Sequence, residues 1–334
     1  MTSLLETRYR AVLRLLPAYY RREREEEMVE TYLWDVDQET QDQSRPTLGE
    51  VASVVALAVR SRLGAGGAPR RYAVLGSAVR LFALFAVLLQ AASALVDRVL
   101  GLTWASTRGG SQWDLFMDGF TGHGVWAGVS GAAQWFLPLL WTVAYFALLR
   151  DRRRLAQASA LVAALPALLP LADLWARDFA PSDSAYVVAA AVLAWSSALA
   201  LCAAHHRDAP PAALPAGAPG LVLAACCVLM GGSVVALPGG VDTVWALVTC
   251  YLVTALAWLL YRVRGESRVP ASEAAALAAL GLLLLAVRIT AVYPWLDLLP
   301  GALRVGVLTQ AAALVALTAA LAVVSGRDLL SRGT

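Results

Sequence analysis

The sequence predicts an all-α integral membrane protein: a helical bundle of about eight transmembrane helices behind a small N-terminal cytosolic domain of three helices. Three observations carry this expectation. Of 334 residues, 59% are hydrophobic and 15% charged, with a mean hydropathy of +0.62; a soluble domain carries about 25% charge. The apolar residues come in blocks of about 20, the length that crosses a hydrocarbon core of about 30 Å. Residues 1–64 depart from this pattern, with short amphipathic segments that are too charged or too short to span.

In the N-terminal domain, Ser3-Leu4-Leu5-Glu6 fits a capping box, with Leu5, Tyr9, Val12 and Leu16 on one helical face. Pro17 ends that helix or opens the next. The second helix is expected over residues 18–39, its apolar stripe formed by Met28, Val29, Tyr32, Leu33 and Val36. RREREEE (21–27) reads as its solvated face, laced by acid–base pairs three and four residues apart. Thr47-Leu48-Gly49-Glu50 is a second capping box, opening a third helix over 48–63 that is too short to span. Residues 65–71 form a linker, and the transmembrane domain occupies 72–325, followed by a cytosolic tail at 326–334.

Eight spans are expected, at about residues 73–96, 126–149, 155–174, 185–204, 220–237, 243–261, 272–293 and 304–324. All 27 basic residues are arginine, and their distribution orients the bundle. With the N-terminus inside, the inner flanks hold Arg70, Arg71, Arg150, Arg152, Arg153, Arg154, Arg207, Arg262, Arg264, Arg268, Arg327 and Arg332. The outer side holds Arg98, Arg108, Arg177 and Arg304. Twelve against four places both termini in the cytoplasm of a cell whose plasma membrane holds the bundle. RDRRR (150–154) then fixes one inner turn, as a topology determinant or as a lipid or partner site. The long outer connection, 97–125, contains Trp104, Trp113, Asp114 and Asp118. These are interfacial belt residues or contacts for a ligand or partner.

Several function classes are disfavoured. A net charge of +3 gives no basis for nucleic-acid binding. Cys202, Cys226, Cys227 and Cys250 lie in apolar segments without a CxxC pair and read as small buried hydrophobes. His205 and His206 are adjacent, so on a helix they diverge by about 100° and do not chelate one metal. There is no phosphate-binding loop, HExxH or GxSxG. No catalytic residues, metal ligands or cofactor site are expected, and the chain reads as non-enzymatic.

The polar residues inside the spans are Arg80, Gln90, Gln134, Arg288 and Gln310, with Asp97 and Asp173 at span ends. Charge is expensive at that depth. Arg80 lies two turns into its span and reaches the inner headgroups. Arg288, in LLLLAVRITAVYPW (282–295), lies about 22 Å into span seven. Helical side chains lean toward their own N-terminus, so it leans away from the nearer, outer interface. An internal partner is expected, Asp97 or Asp173 first, with Asp297 a third option. The pair is a structural ion pair or the edge of an outward cavity. Pro166 and Pro170 predict a kink in span three close to Asp173.

RYRAVLRLLPAYYRREREEEMVETYLWDV (8–36), with TLGEVASVVALAVRSRLG (47–64), resembles the helical N-terminal domain of actinobacterial polytopic membrane proteins, called the permease-prefix or HAAS-like domain. The resemblance rests on LLP, an aromatic–Arg segment, EEEM and VRSRLG, and covers about one fifth of the chain. Relatives occur near PadR-type regulators or attached to ABC-type permeases. The resemblance implies an accessory or signalling role and supplies no site residues. The expected function is therefore a regulator, sensor or accessory protein that couples a membrane bundle to a cytosolic partner through residues 1–64. A transporter or permease subunit for a small polar or anionic substrate is the alternative.

Overall fold

The computed structural model describes residues 4–34, 45–64, 68–107, 110–121, 124–176, 181–206, 209–212, 218–236, 243–264 and 270–330. Among them there are helices and turns and no strand. Ser3, residues 35–39, the middle of the linker, Arg108, Arg177, Arg207, Arg268 and Arg332 lie outside the described residues.

The first compact unit, Met1–Val79, contains α1 (Leu4–Leu13), α2 (Ala18–Trp34), α3 (Leu48–Arg62) and the start of α4 (Arg70–Thr107). Tyr9, Leu13 and Leu16 meet Val29 of α2 and Val54 and Ala58 of α3 in a small core. The Tyr9 and Tyr32 rings stack 4.0 Å apart. The capping box at Thr47 is formed: Glu50 N donates to Thr47 Oγ1 at 3.3 Å, and Thr47 N to Glu50 Oε2 at 2.7 Å.

The acidic face of α2 is mostly exposed, as expected, and it carries in addition a pair between helices. Glu26 receives a bidentate bond from Arg10 of α1, at 2.9 and 2.8 Å, and Glu25 lies 3.6 Å from the same guanidinium. Arg24–Glu27 is an intrahelical pair of the expected kind, at 3.4 Å. The reason is geometric. Arg10 sits on the face of α1 turned toward α2, and its planar fork matches one carboxylate. That bond pulls the Glu26 carboxyl below its ordinary pKa.

α3 ends at Leu63, and Gly64 follows with φ +83°, a backbone state that glycine adopts without strain. Gly76 then lets α4 come onto the end of α3. A Cβ there would sit 2.5 Å from the carbonyl carbon of Leu63, a contact that backbone does not yield to.

Eight helical stretches among the described residues are long and apolar enough to cross a bilayer; seven of them and most of the first lie in the second unit, Arg80–Thr334. Its helices continue with α5 (Gly110–Thr121), α6 (Val125–Phe136), α7 (Leu140–Leu149), α8 (Arg153–Ala164), α9 (Leu169–Ala176), α10 (Pro181–Ala204), α11 (Pro219–Ala236), α12 (Thr243–Arg264), α13 (Ala271–Val292) and α14 (Gly301–Leu330). Two spans are broken helices. Pro138 lies in a 3-10 turn between α6 and α7, and Pro166 in one between α8 and α9. Proline lacks the N–H that would continue the ladder, so the expected distortion of span three is present.

Span one extends beyond its expected limits of 73–96. α4 has 38 residues, about 57 Å at 1.5 Å per residue. Asp97 and Arg98 end the apolar run without breaking the helix, which continues through Thr107. Gly110–Thr121 of the expected outer loop is also helical. In α5 an aromatic stripe of Trp113, Phe116 and Phe120 turns one face inward. Phe116 and Phe120 meet Trp135 at 5.0 and 6.1 Å between ring centres. Asp114 and Asp118, one turn apart, are exposed. Gly128 admits the carbonyl of Phe120 at a distance that leaves no room for a Cβ, the small-residue contact of membrane helix pairs.

Candidate functional site in the membrane bundle

α13 carries the most unusual side chain of the bundle, and its register explains why. Leu277, Gly281, Leu284 and Arg288 are buried at spacings of four, three and four, while Leu282 and Ile289 are 61% and 52% exposed. An alternation of three and four keeps one face turned toward neighbouring helices, here α10, α12 and α14. Arg288 lies on the inward stripe and is 1% exposed, the largest fully buried side chain among the described residues.

The guanidinium carbon of Arg288 lies 5.5 Å from the Trp245 ring centre, within cation–π range. Trp245 is also the anchor of α14. Gln310 Nε2 donates to the Trp245 carbonyl at 3.1 Å and to Thr249 Oγ1 at 2.8 Å. One residue of α12 thus joins a cation from α13 and an amide from α14. Gln310 Oε1 is buried and accepts no hydrogen bond among the described residues. The cluster offers buried positive charge and hydrogen-bonding groups; no nucleophile–base pair is assembled there.

The expected partners of Arg288 fall elsewhere or outside the described atoms. Asp97 accepts from Ser93 at 3.3 Å and lies 4.0 Å from Arg98, so its carboxylate is taken up on α4 itself. Asp297 lies 3.6 Å from Arg304. Asp173 is on α9, but its side chain lies outside the described residues. The outer residues are not brought to Arg288 either. Trp104 and Trp113 are 47% and 43% exposed and lie on α4 and α5, where α4 meets the α5–α6 hairpin. There Arg98 donates to the carbonyls of Trp135 and Gln134 and lies 5.4 Å from the Trp135 ring centre. Arg98 therefore ties α4 to the end of α6.

Further along α12, Tyr251 Oη donates to the Leu277 carbonyl at 2.7 Å. Next to it lies an apolar cavity of ≈ 180 Å³ lined by Phe85, Leu88, Val222, Cys226, Tyr251 and Trp258 among others. All four cysteines are free thiols. No group of three or more His, Cys, Asp or Glu that could hold a metal ion occurs among the described residues.

His205 directly follows the C-terminal end of α10 and is 2% exposed. Burial, reinforced by the positive charges of Arg80, Arg153 and His206, lowers its pKa from 6.5 to about 4; a bond to the Arg80 backbone opposes the shift. The unfolded chain then binds more protons than the folded one between these values. The stabilisation is whole above pH 6.5 and is lost as pH falls through the window. The unfolding temperature is expected to drop from pH 6.5 to pH 4, and less so in His205→Gln. Equal drops in the two proteins would refute this.

Comparison with known protein families, curated proteins and solved structures gives no match. The site rests on its geometry alone. Sequence reasoning missed Trp245 and Thr249 and named Gln310 without a role. The available signal was a tryptophan placed near the depth of Arg288 on an adjacent span.

Proposed function

We propose that this chain is a non-enzymatic membrane regulator or sensor, with the N-terminal helical unit and the C-terminal tail in the cytoplasm and the aromatic α5–α6 hairpin outside. The observation that carries this reading is α4. It is one uninterrupted helix of 38 residues, roughly twice the length a bilayer crossing needs, and it is gripped near both ends. At its start Gly76 seats against the Leu63 backbone; near its far end Arg98 holds the Trp135 and Gln134 carbonyls. In this reading α4, as the chain's link between the hairpin and the end of α3, is the element that passes the signal on. The excess of arginine on the inner flanks supports the orientation. The buried cluster at Trp245 acts in this scheme as a fixed pivot that keeps α12, α13 and α14 in register.

The test uses the full chain with a proximity-labelling enzyme fused ahead of Met1. Specific labelling of a defined set of soluble cytosolic proteins is expected, above the background of an unrelated eight-span protein with the same fusion. Labelling at background overturns the reading. Uptake of a small anion by proteoliposomes, abolished by Arg288→Met, would replace it with the transporter.

A further inference from the structure

The turn between α7 and α8 is built as an anion receptor. α7 ends in a double-bonded cap: Asp151 N donates to Leu148 O at 3.1 Å and Arg152 N to Ala147 O at 2.8 Å. This is the Schellman arrangement, which places a left-handed residue where glycine is usual. Here that residue is Asp151, with φ 57°; aspartate is one of the few side chains that tolerate it. The turn is complete in two residues, so Arg150 and Arg152 flank it and α8 starts at once with Arg153 and Arg154.

The charges around this turn do not balance internally. The Asp151 carboxylate is engaged by Arg153 at 2.7 Å. Arg153 also donates to the carbonyls of His206 and Ala209, the latter at 2.7 Å, and Gln157 donates to His205 O at 3.1 Å. These bonds hold the wall of the site in place. Arg150, Arg152 and Arg154 are exposed, and no ion pair among the described residues includes them. α8 opens without a side-chain cap, its N-cap position being Arg152 itself, so no side chain accepts from its first amide groups. The buried His205 Nε2 and His206 Nδ1 have no hydrogen-bond partner among the described residues.

Two hollows meet here. A polar one of ≈ 900 Å³ is lined by Arg152, Arg153, Arg154, Gln157, His205 and His206 among others. An apolar furrow of ≈ 340 Å³ runs along α7, lined by Thr142, Val143, Phe146 and Ala147, with Arg150 at its mouth. Arg152 and Leu155 line both.

We infer that this end of the bundle binds an anionic phospholipid, its phosphate in the arginine hollow and an acyl chain in the furrow. The adjoining apolar furrow favours a lipid over free phosphate, because a bare anion leaves it empty. The uncompensated arginines favour an anionic headgroup over a zwitterionic one, whose cation they repel.

The test is thermal unfolding of the full chain in nanodiscs of phosphatidylcholine with and without phosphatidylglycerol, with native mass spectrometry of the lipid retained after delipidation. Phosphatidylglycerol is expected to raise the unfolding temperature and to stay bound. Arg152→Gln with Arg154→Gln is expected to abolish both effects while unfolding as wild type in phosphatidylcholine, since both side chains are exposed. Arg70→Gln with Arg71→Gln, a basic pair on α4, is expected to keep them. The proposal is overturned if phosphatidylglycerol gives no increment, or if the Arg152/Arg154 variant keeps it. It is overturned equally if the Arg70/Arg71 variant loses it to the same degree, which would mean general surface charge. Inorganic phosphate reproducing the increment in phosphatidylcholine would assign a free-anion site and remove the lipid.

Discussion

Arg288→Ala is expected to destabilise the bundle by about 2–5 kcal/mol, the range for truncating a large buried side chain. Arg288 is 1% exposed, so the deletion opens a void that neighbours on three helices must close. It also removes the cation 5.5 Å from the Trp245 ring centre, an interaction of about 0.5–2 kcal/mol. Arg288→Lys is expected to recover only part of the loss, because an ammonium on a flexible stem lacks the planar guanidinium's stacking face. Arg288→Met separates volume from charge. Replacing a whole buried ion pair by apolar residues of similar volume is often neutral or stabilising, whereas removing one partner of such a pair is strongly destabilising. If Arg288→Met unfolds at the wild-type temperature in lipid and the labelling pattern of the N-terminal unit is unchanged, the residue is a packing element. If it folds as well but loses that pattern, the charge itself is used. An Arg288→Ala protein with an unchanged unfolding temperature would contradict the burial argument from the start.

The helical layout of the bundle was legible because span length is a local property. The eight spans follow from runs of about 20 apolar residues, and the 3-10 break at Pro166 from proline's missing donor. The limits of α4 were not legible. Asp97 and Arg98 look like the end of a membrane segment, and they are, but the end of hydrophobicity is not the end of a helix. What stops a helix is a backbone property, and α4 continues through Thr107. The α5 hairpin was hidden for a related reason. Its glycines suggest a loop, whereas Gly128 serves to bring two helices together.

At the candidate site the sequence revealed the anomaly without its neighbours. Arg288 stands out in an apolar run, and it is buried in the protein. The stripe formed by Leu277, Gly281, Leu284 and Arg288 points to that burial from spacing alone. Trp245, 43 positions earlier, is found only when α12 and α13 are placed side by side. Asp97 was misjudged because span ends were compared by depth, while a Ser93 hydroxyl one turn earlier and the adjacent Arg98 were already available to it. Arg10 and Glu26 repeat the lesson in the N-terminal unit: an exposed-looking acidic run found its partner on another helix.

The second large effect concerns Gly281. A Cβ there would lie 2.6 Å from Tyr251 Oη and 3.2 Å from Tyr251 Cζ. Tyr251 is 1% exposed and its hydroxyl is bonded to the Leu277 carbonyl at 2.7 Å, so it cannot swing aside without breaking that bond. Gly281→Ala is therefore expected to cost about 1–3 kcal/mol through overpacking, and Gly281→Leu is expected to prevent correct assembly of α12, α13 and α14. Small residues at such crossings let membrane helices approach closely. Tyr251→Phe alone is expected to cost about 1 kcal/mol for the lost hydrogen bond. Combined with Gly281→Ala, it removes one of the two oxygens with which the new methyl group collides, the Thr318 hydroxyl being the other. The double variant should then lose less stability than the sum of the two singles. Strict additivity in a thermal unfolding cycle would show that the Gly281–Tyr251 contact does not set the spacing. The effect should also reach the polar cluster. Arg288 lies seven residues, about 10.5 Å, along the same face, so helices forced apart at Gly281 are expected to loosen the Arg288–Trp245 contact as well. Arg288→Met should accordingly be less sensitive to Gly281→Ala than the wild type is.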